Sequence, residues 1–216
     1  MSFLKNLFGG NKDEESKEIL AQKQQELHDQ LKQTGLENIL GTMHDRVMHA
    51  VIPFEVGGAV DLYYFLNHIE GTGIATMELI TLGDKKSLPN KLGSYELVAF
   101  TKEKYNQDDE NPNQFNEMEN RIFGMFSIVG HYSFQAVLNP KDTCEFEEGS
   151  YLIFDNYEPE NKKFKIGEEE HHLLLCMEIF ASEMRFAREN GGETLLNMLK
   201  LAGHYPYSDM NRLPII

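Results

Sequence analysis

Apolar residues along this chain change their spacing at about Pro53. Before it they are sparse and helical in period. In "ESKEILAQKQQELHDQLKQTG" the residues Ile19, Leu20, Leu27 and Leu31 share a helix face, good helix formers fill the gaps, and Gly35 is the expected C-cap. A second, shorter helix is expected over Leu36 to Met48. The apolar stripe is narrow, so the segment either lies on the domain or projects from it. Its heptads stop too soon to argue for a coiled coil.

After Pro53 the pattern is that of strands. "VDLYYFL" (Val60–Leu66), "IATMELIT" (Ile74–Thr81) and "SYELVAFT" (Ser94–Thr101) are rich in β-branched and aromatic residues and bounded by turn formers. A charged loop over Lys102–Glu117 then leads into a helix with Asn113 as N-cap. Phe115, Met118, Ile122, Met125, Phe126 and Val129 form that helix's buried face. "SYLIFDNY" (Ser150–Tyr157) and "HLLLCMEIF" (His172–Phe180) read as further strands, the second apolar enough to be covered on both faces. Two helices close the chain, "SEMRFAREN" before Gly191-Gly192 and "ETLLNMLKLAG" ending at Gly203. The expected fold class is α/β (α+β), a central mixed sheet flanked by helices. Residues 1–48 are read as an N-terminal helical extension and 51–216 as the folded domain.

Composition supports a packed core, with 41% hydrophobic and 11% aromatic residues. No stretch reaches the roughly 20 apolar residues needed to cross a bilayer. Near the N-terminus Phe3, Leu4, Leu7 and Phe8 are interrupted by Lys5 and Asn6, which breaks the apolar run an export signal requires. A cytoplasmic protein is therefore expected, and Cys144 and Cys176, in no CxxC pair, are read as free thiols. The net charge of −15 would repel a phosphate backbone, so nucleic acid is excluded as a partner bound through a broad basic patch. The same charge would steer a basic protein partner.

Candidate chemistry is sparse. There is no GxSxG elbow. His204, Ser208 and Asp209 in the closing "HYPYSDMNRLPII" lie too close in sequence for a triad, whose members come from separate elements. Adjacent His171 and His172 point to opposite faces of a strand, and His44 and His49 lack the i, i+4 spacing of a helical ligand pair. No metal or cofactor is expected. The paired glycines of "VGGAVDLYYF" and "IEGTGIAT" match no phosphate loop and are read as turns. Asp61, Glu78, Glu96 and Glu178 interrupt apolar strands. Glu78 and Glu96 are expected to face solvent, and Glu178 to be buried with Arg121, Arg185 or Arg212 as its partner.

Several phrases resemble the suppressor-of-fused domain family in its bacterial form: "GGAVDLYYF", "GTGIATMELIT", "YELVAFT" and "LLLCMEIFASEMRFARENGGETLLNMLKLAGHYPYSDMNR". The residues that carry the likeness are Gly57, Gly58, Asp61, Glu78, Glu96, Glu178, the pair Ser182-Glu183, and the closing Asp209 and Arg212. The resemblance covers about Val51 to Ile216. It implies a mixed sheet flanked by helices. It also implies a non-enzymatic binding protein, since the animal member sequesters transcription factors by clamping a peptide between two domains. Bacterial relatives are often encoded beside secreted toxins and are proposed to act as immunity proteins.

The leading expectation is a protein-binding module that neutralises a toxin domain, in particular a basic one, by stoichiometric binding. Tyr63, Tyr105, Tyr132, Tyr205 and Tyr207 are its candidate contact residues. Two alternatives remain open at the level of sequence. One is a hydrolase using Glu78, Glu96 and Glu178 as converging carboxylates. The other is a scaffold that self-associates through residues 13–48.

Overall fold

The computed structural model describes residues 10–83, 91–106 and 113–216. The Phe3–Phe8 stretch lies outside them. Helix α1 (Gly10–Leu40) leads into strands β1 (Met43–Met48), β2 (Leu62–Phe65), β3 (Thr72–Ala75) and β4 (Tyr95–Thr101). Then come α2 (Gln114–Ser133), β5 (Thr143–Glu147), β6 (Ser150–Asn156), β7 (Phe164–Ile166), β8 (Glu169–Ile179), α3 (Ala181–Asn190) and α4 (Gly192–Leu201). The strands form one mixed sheet in the order β1-β2-β3-β4-β8-β6-β5, with β7 paired to β8. Only β4 and β8 run parallel among the described strands. The expected α+β architecture is the one the chain adopts.

Alternation along the central strands divides the core in two. Leu173, Leu175, Met177 and Ile179 of β8 pack with Val98 and Phe100 of β4 against α1, α3 and α4. Leu174 and Cys176 pack with Tyr95, Leu97 and Ala99 against α2. Both faces of β8 are therefore covered, which explains its unbroken apolar run. Each fully buried Leu, Ile, Val, Phe or Met among them contributes about 1.5–3 kcal/mol. Helix α2 matches its expectation: Asn113 caps it reciprocally with Asn116, and Phe115, Met118, Ile122, Met125, Phe126 and Val129 are its buried face.

Three expectations need correction. First, no second helix covers Leu36–Met48. Helix α1 runs on to Leu40 and ends at Gly41, whose φ is +79° and whose N–H bonds Glu37 O at 2.9 Å; residues 43–48 then form edge strand β1. Gly35 is not a cap but a packing site, because a Cβ there would lie 1.9 Å from the carbonyl oxygen of Lys165 in β7. Second, the Ile74–Thr81 strand is shorter, since β3 ends at Ala75. Third, Glu96 does not face solvent but is fully buried.

The last two have one cause. Glu96 points from β4 toward α1 and accepts hydrogen bonds from Thr76 Oγ1 (2.7 Å), Leu79 N (3.2 Å) and Ile80 N (3.0 Å). It thereby draws residues 76–80 off the sheet and around itself. Lys32, only 2% exposed, reaches in from α1 to 3.4 Å from Glu96. Its ammonium also donates to Met77 O at 2.6 Å and to Ile80 O. One buried ion pair thus fixes the helix, the loop and the sheet together.

Removing one member of such a pair leaves the other charge buried and uncompensated, which costs about 3–5 kcal/mol. Lys32→Met is expected to lose stability of that order in urea denaturation. Lys32→Met with Glu96→Gln should cost clearly less than the two single changes summed, because the residues act on each other.

Candidate functional site

The closing segment, with His204, Ser208 and Asp209, is a clasp. Where β4 and β8 diverge beyond their parallel pairing, the tail fills the gap: Ser208 N donates to Phe100 O (2.7 Å) and Ser208 Oγ accepts from Glu178 N (2.9 Å). Ser208 is wholly buried and its oxygen is engaged by the β8 backbone, so it is no nucleophile. Asp209 accepts from Thr101 Oγ1 (2.7 Å) and Lys102 N (3.1 Å). Arg212 instead forms two bonds to Glu183, at 2.6 and 2.7 Å. Asp209 and Arg212 fix the tail separately, one to the sheet and the other to α3.

Glu183 is buried at the start of α3, where Phe180 N and Ile215 N also donate to it, each at 3.0 Å. Burial alone would raise its pKa. Arg212 and the two backbone amides outweigh that and hold it below the ordinary carboxylate range. Ser182 lies half-buried beside it in the first turn of the helix.

The carboxylates of the apolar strands do not form an acid–base pair. Glu178 faces α2, where Arg121 meets it through Nε (3.2 Å) and Nη2 (2.5 Å). Glu96 faces α1 on the opposite side of the sheet. Glu78 is half-buried in the loop close to Glu96 and accepts a hydrogen bond from Met77 N at 3.1 Å. Burial, with the nearby Glu96 charge second, pushes its pKa up to about 8. Glu78 lines a cleft of about 370 Å³ beside Tyr63, whereas Glu96 is sealed behind it with its oxygens already bonded. Of the three carboxylates on which the hydrolase reading rests, Glu78 alone lines this cleft, where Asp29 and Glu55 are the other acidic residues. Asp61 serves locally, accepting from Ala50 N (2.8 Å) and contacting His49 (2.7 Å).

The glycine pair forms a turn. Gly57 has φ +91°, and a Cβ on Gly58 would lie 1.8 Å from Ile52 O. His44 falls on strand β1 rather than on a helix. His171 and His172 diverge, the first bonding Ser94 Oγ at 2.7 Å and the second lying 3.6 Å from Glu158. No group of three His, Cys, Asp or Glu able to hold a metal occurs among the described residues, and no helix there is long and apolar enough to cross a membrane.

The Ser94–His171 contact was not legible in sequence, because its partners are 77 positions apart. It opens onto a cleft of about 760 Å³ between α1 and the β7–β8 turn, lined by Leu27, Leu31, Ile80, Leu82 and Ile166. Glu169 stands 4.0 Å from His171 Nε2 and is exposed, so the histidine lacks the buried orienting carboxylate of a triad. The pair latches the start of β4 to β8.

The five tyrosines have different surroundings. Tyr63, Tyr105, Tyr205 and Tyr207 are half-buried against the core. Tyr105 lies under Arg46, whose guanidinium is 4.8 Å from the ring and 2.8 Å from buried Glu119. Tyr205 donates to Asp155 at 3.1 Å beneath Lys200. Only Tyr132 of the five stands largely free, 49% exposed at the end of α2. Beside it is a shallow cleft of about 430 Å³ that includes Val137, Thr143 and Cys144 and opens at edge strand β5. The outer edge of β5 pairs with no described strand, and Glu145, Glu147 and Glu148 are exposed along it.

Two measurements check these assignments. Asp209→Ala should lower stability by about 1.5–3 kcal/mol, the worth of hydrogen bonds to a charged group, seen as a lower melting temperature. Glu78 has a folded pKa of about 8 against an ordinary value of 4.5, so its favourable contribution is complete below 4.5 and is lost as pH rises through 8. Glu78→Gln should therefore gain in melting temperature relative to wild type between neutral and alkaline pH, with no gain at pH 4. Parallel pH profiles for the two proteins would contradict the assignment.

No protein-family model and no curated protein sequence matches this chain. Solved structures do. The structure of the Sufu–Fu complex aligns with a TM-score of 0.54 at 16% identity, over 81% of this chain and 83% of that one. A SUFU (suppressor of fused protein) homolog from Neisseria gonorrhoeae aligns with a TM-score of 0.53 at 15% identity, over 88% of this chain and 97% of that one. Aligned with both over more than four-fifths of its length, this chain has the suppressor-of-fused fold.

Proposed function

We propose that this chain is a non-enzymatic, cytoplasmic protein-binding module, and that its specific role is to neutralise a basic toxin domain by stoichiometric binding. The observation that carries the proposal is the open edge of β5. An unpaired edge strand offers main-chain donors and acceptors to an extended segment, and the side chains beside it select the sequence. Tyr132 and Val137, the latter 56% exposed, supply an apolar anchor point, and Glu145, Glu147 and Glu148 favour a basic segment. The overall charge of −15 favours the same partner at long range. A structure of the same fold is a complex of Sufu with Fu, which supports a binding role for the fold. The buried carboxylates argue in the same direction, since each is committed to a cation or to backbone amides.

The test compares wild type with Glu145→Lys/Glu147→Lys, first in affinity capture and then in stopped-flow binding to the purified captured protein. A basic partner should associate at least about 10-fold more slowly with the variant at low salt, with the gap closing at high salt. Melting temperatures should differ little, because both glutamates are exposed and only the bond from Gly149 N to Glu145 is lost. Tyr132→Ala should weaken binding by about 2 kcal/mol. A captured toxin should lose its activity at one equivalent of wild type. Unchanged association rates and affinities in the variants would refute this use of the edge.

A further inference from the structure

The first half of α1 is exposed in a way that the binding edge does not explain. From Ser16 to Leu27 every residue is exposed, and burial begins in earnest only at Lys32. The arm from Ser16 to Leu31 is about 24 Å of helix at 1.5 Å per residue. Its base is held rigidly by the Lys32–Glu96 pair, by Leu36, Ile39 and Leu40 in the core, and by the close approach of β7 at Gly35. A helix of this length is marginal in water without tertiary cover. Yet it presents Leu20 at 58%, Leu27 at 55% and Leu31 at 37% exposure. The spacing Leu20–Leu27–Leu31 places all three on one stripe.

We infer that this stripe is covered by the same stripe of a second copy, packed antiparallel. Three features single out this occupant. Pairing about the midpoint between Lys23 and Gln24 sets Leu20 of each helix against Leu27 of the other, so the contact is self-complementary under a two-fold axis, as a closed dimer requires. The arm carries two lysines against three acids, whereas the chain carries −15, so the arm is where two copies approach with little repulsion. The antiparallel direction also sends the two acidic domains to opposite ends of the pair, where a parallel one would bring them side by side. The β5 edge lies across the sheet from α1, so dimer and partner use different surfaces. A seam of about four turns is smaller than a standard interface, and micromolar association is the expected strength.

Sedimentation velocity on the full chain tests this. Between about 1 and 200 µM, a range that brackets micromolar association, the mass should rise from 24.9 kDa toward twice that value. Leu20→Asp/Leu27→Asp should weaken association by more than about 100-fold, since it would bury charges in the seam. Its circular-dichroism melt should keep the wild-type core transition. Direction is tested in a Cys144→Ser background, where mixed Leu20→Cys and Leu27→Cys proteins should cross-link faster with each other than with themselves. A wild type that stays monomeric throughout, or a double variant that dimerises equally well, would overturn the inference. Faster self-cross-linking of either single-cysteine protein would overturn the antiparallel arrangement.

Discussion

The buried contact between Lys32 and Glu96 is the constraint on which the remaining architecture rests. A carboxylate taken out of water must be matched, and here Lys32, Thr76 and two loop amides match it. Satisfying that one group ends β3 at Ala75, wraps residues 76–80 around the end of the sheet and docks α1 in a fixed register. The docked helix then forms one wall of the large cleft and holds its own first half out in solvent. A salt bridge of this kind adds little net stability compared with an apolar substitute; what it provides is a single way for the parts to fit.

The same device joins other elements to the sheet. Arg121 on α2 meets Glu178 on β8, Arg212 in the tail meets Glu183 on α3, and Arg46 on β1 meets Glu119 on α2. Each pair links segments far apart in sequence, and each consumes a carboxylate that would otherwise invite a catalytic reading. Glu78 differs: burial, with the nearby Glu96 charge second, pushes its pKa up to about 8. The acidic excess available for recognition is consequently on the surface, along β5 among other places.

Much of the fold is legible in the sequence, and the exceptions share a physical cause. Helix α2 could be read from Asn113 and its apolar period, and β8 from its unbroken run, because both signals are local. Strand β1, "MHDRVM", was hidden because an edge strand whose residues are nearly all only part-buried needs few apolar side chains. Gly35 looked like a cap because its reason for being glycine lies in β7, far along the chain. Glu96 looked solvent-facing because alternation cannot reveal a lysine 64 positions earlier. The tail was legible as a family likeness, but not in its bonds: Asp209 and Arg212 contact Thr101 and Glu183 rather than one another. The proposed binding surface is the least legible, since four of the five tyrosines turn toward the core and the open edge of β5 follows only from the strand order.

The central claim is that the carboxylates within the strands hold the fold, and Glu96 is its sharpest case. Native-state hydrogen exchange at the amides of Leu79 and Ile80 measures it directly. Both sit in a loop, where amides ordinarily exchange fast, yet here they donate to a buried carboxylate. They should exchange as slowly as the β4 amides of Leu97 and Val98, through unfolding of the whole domain. Exchange at the rate of an open surface loop would contradict the account.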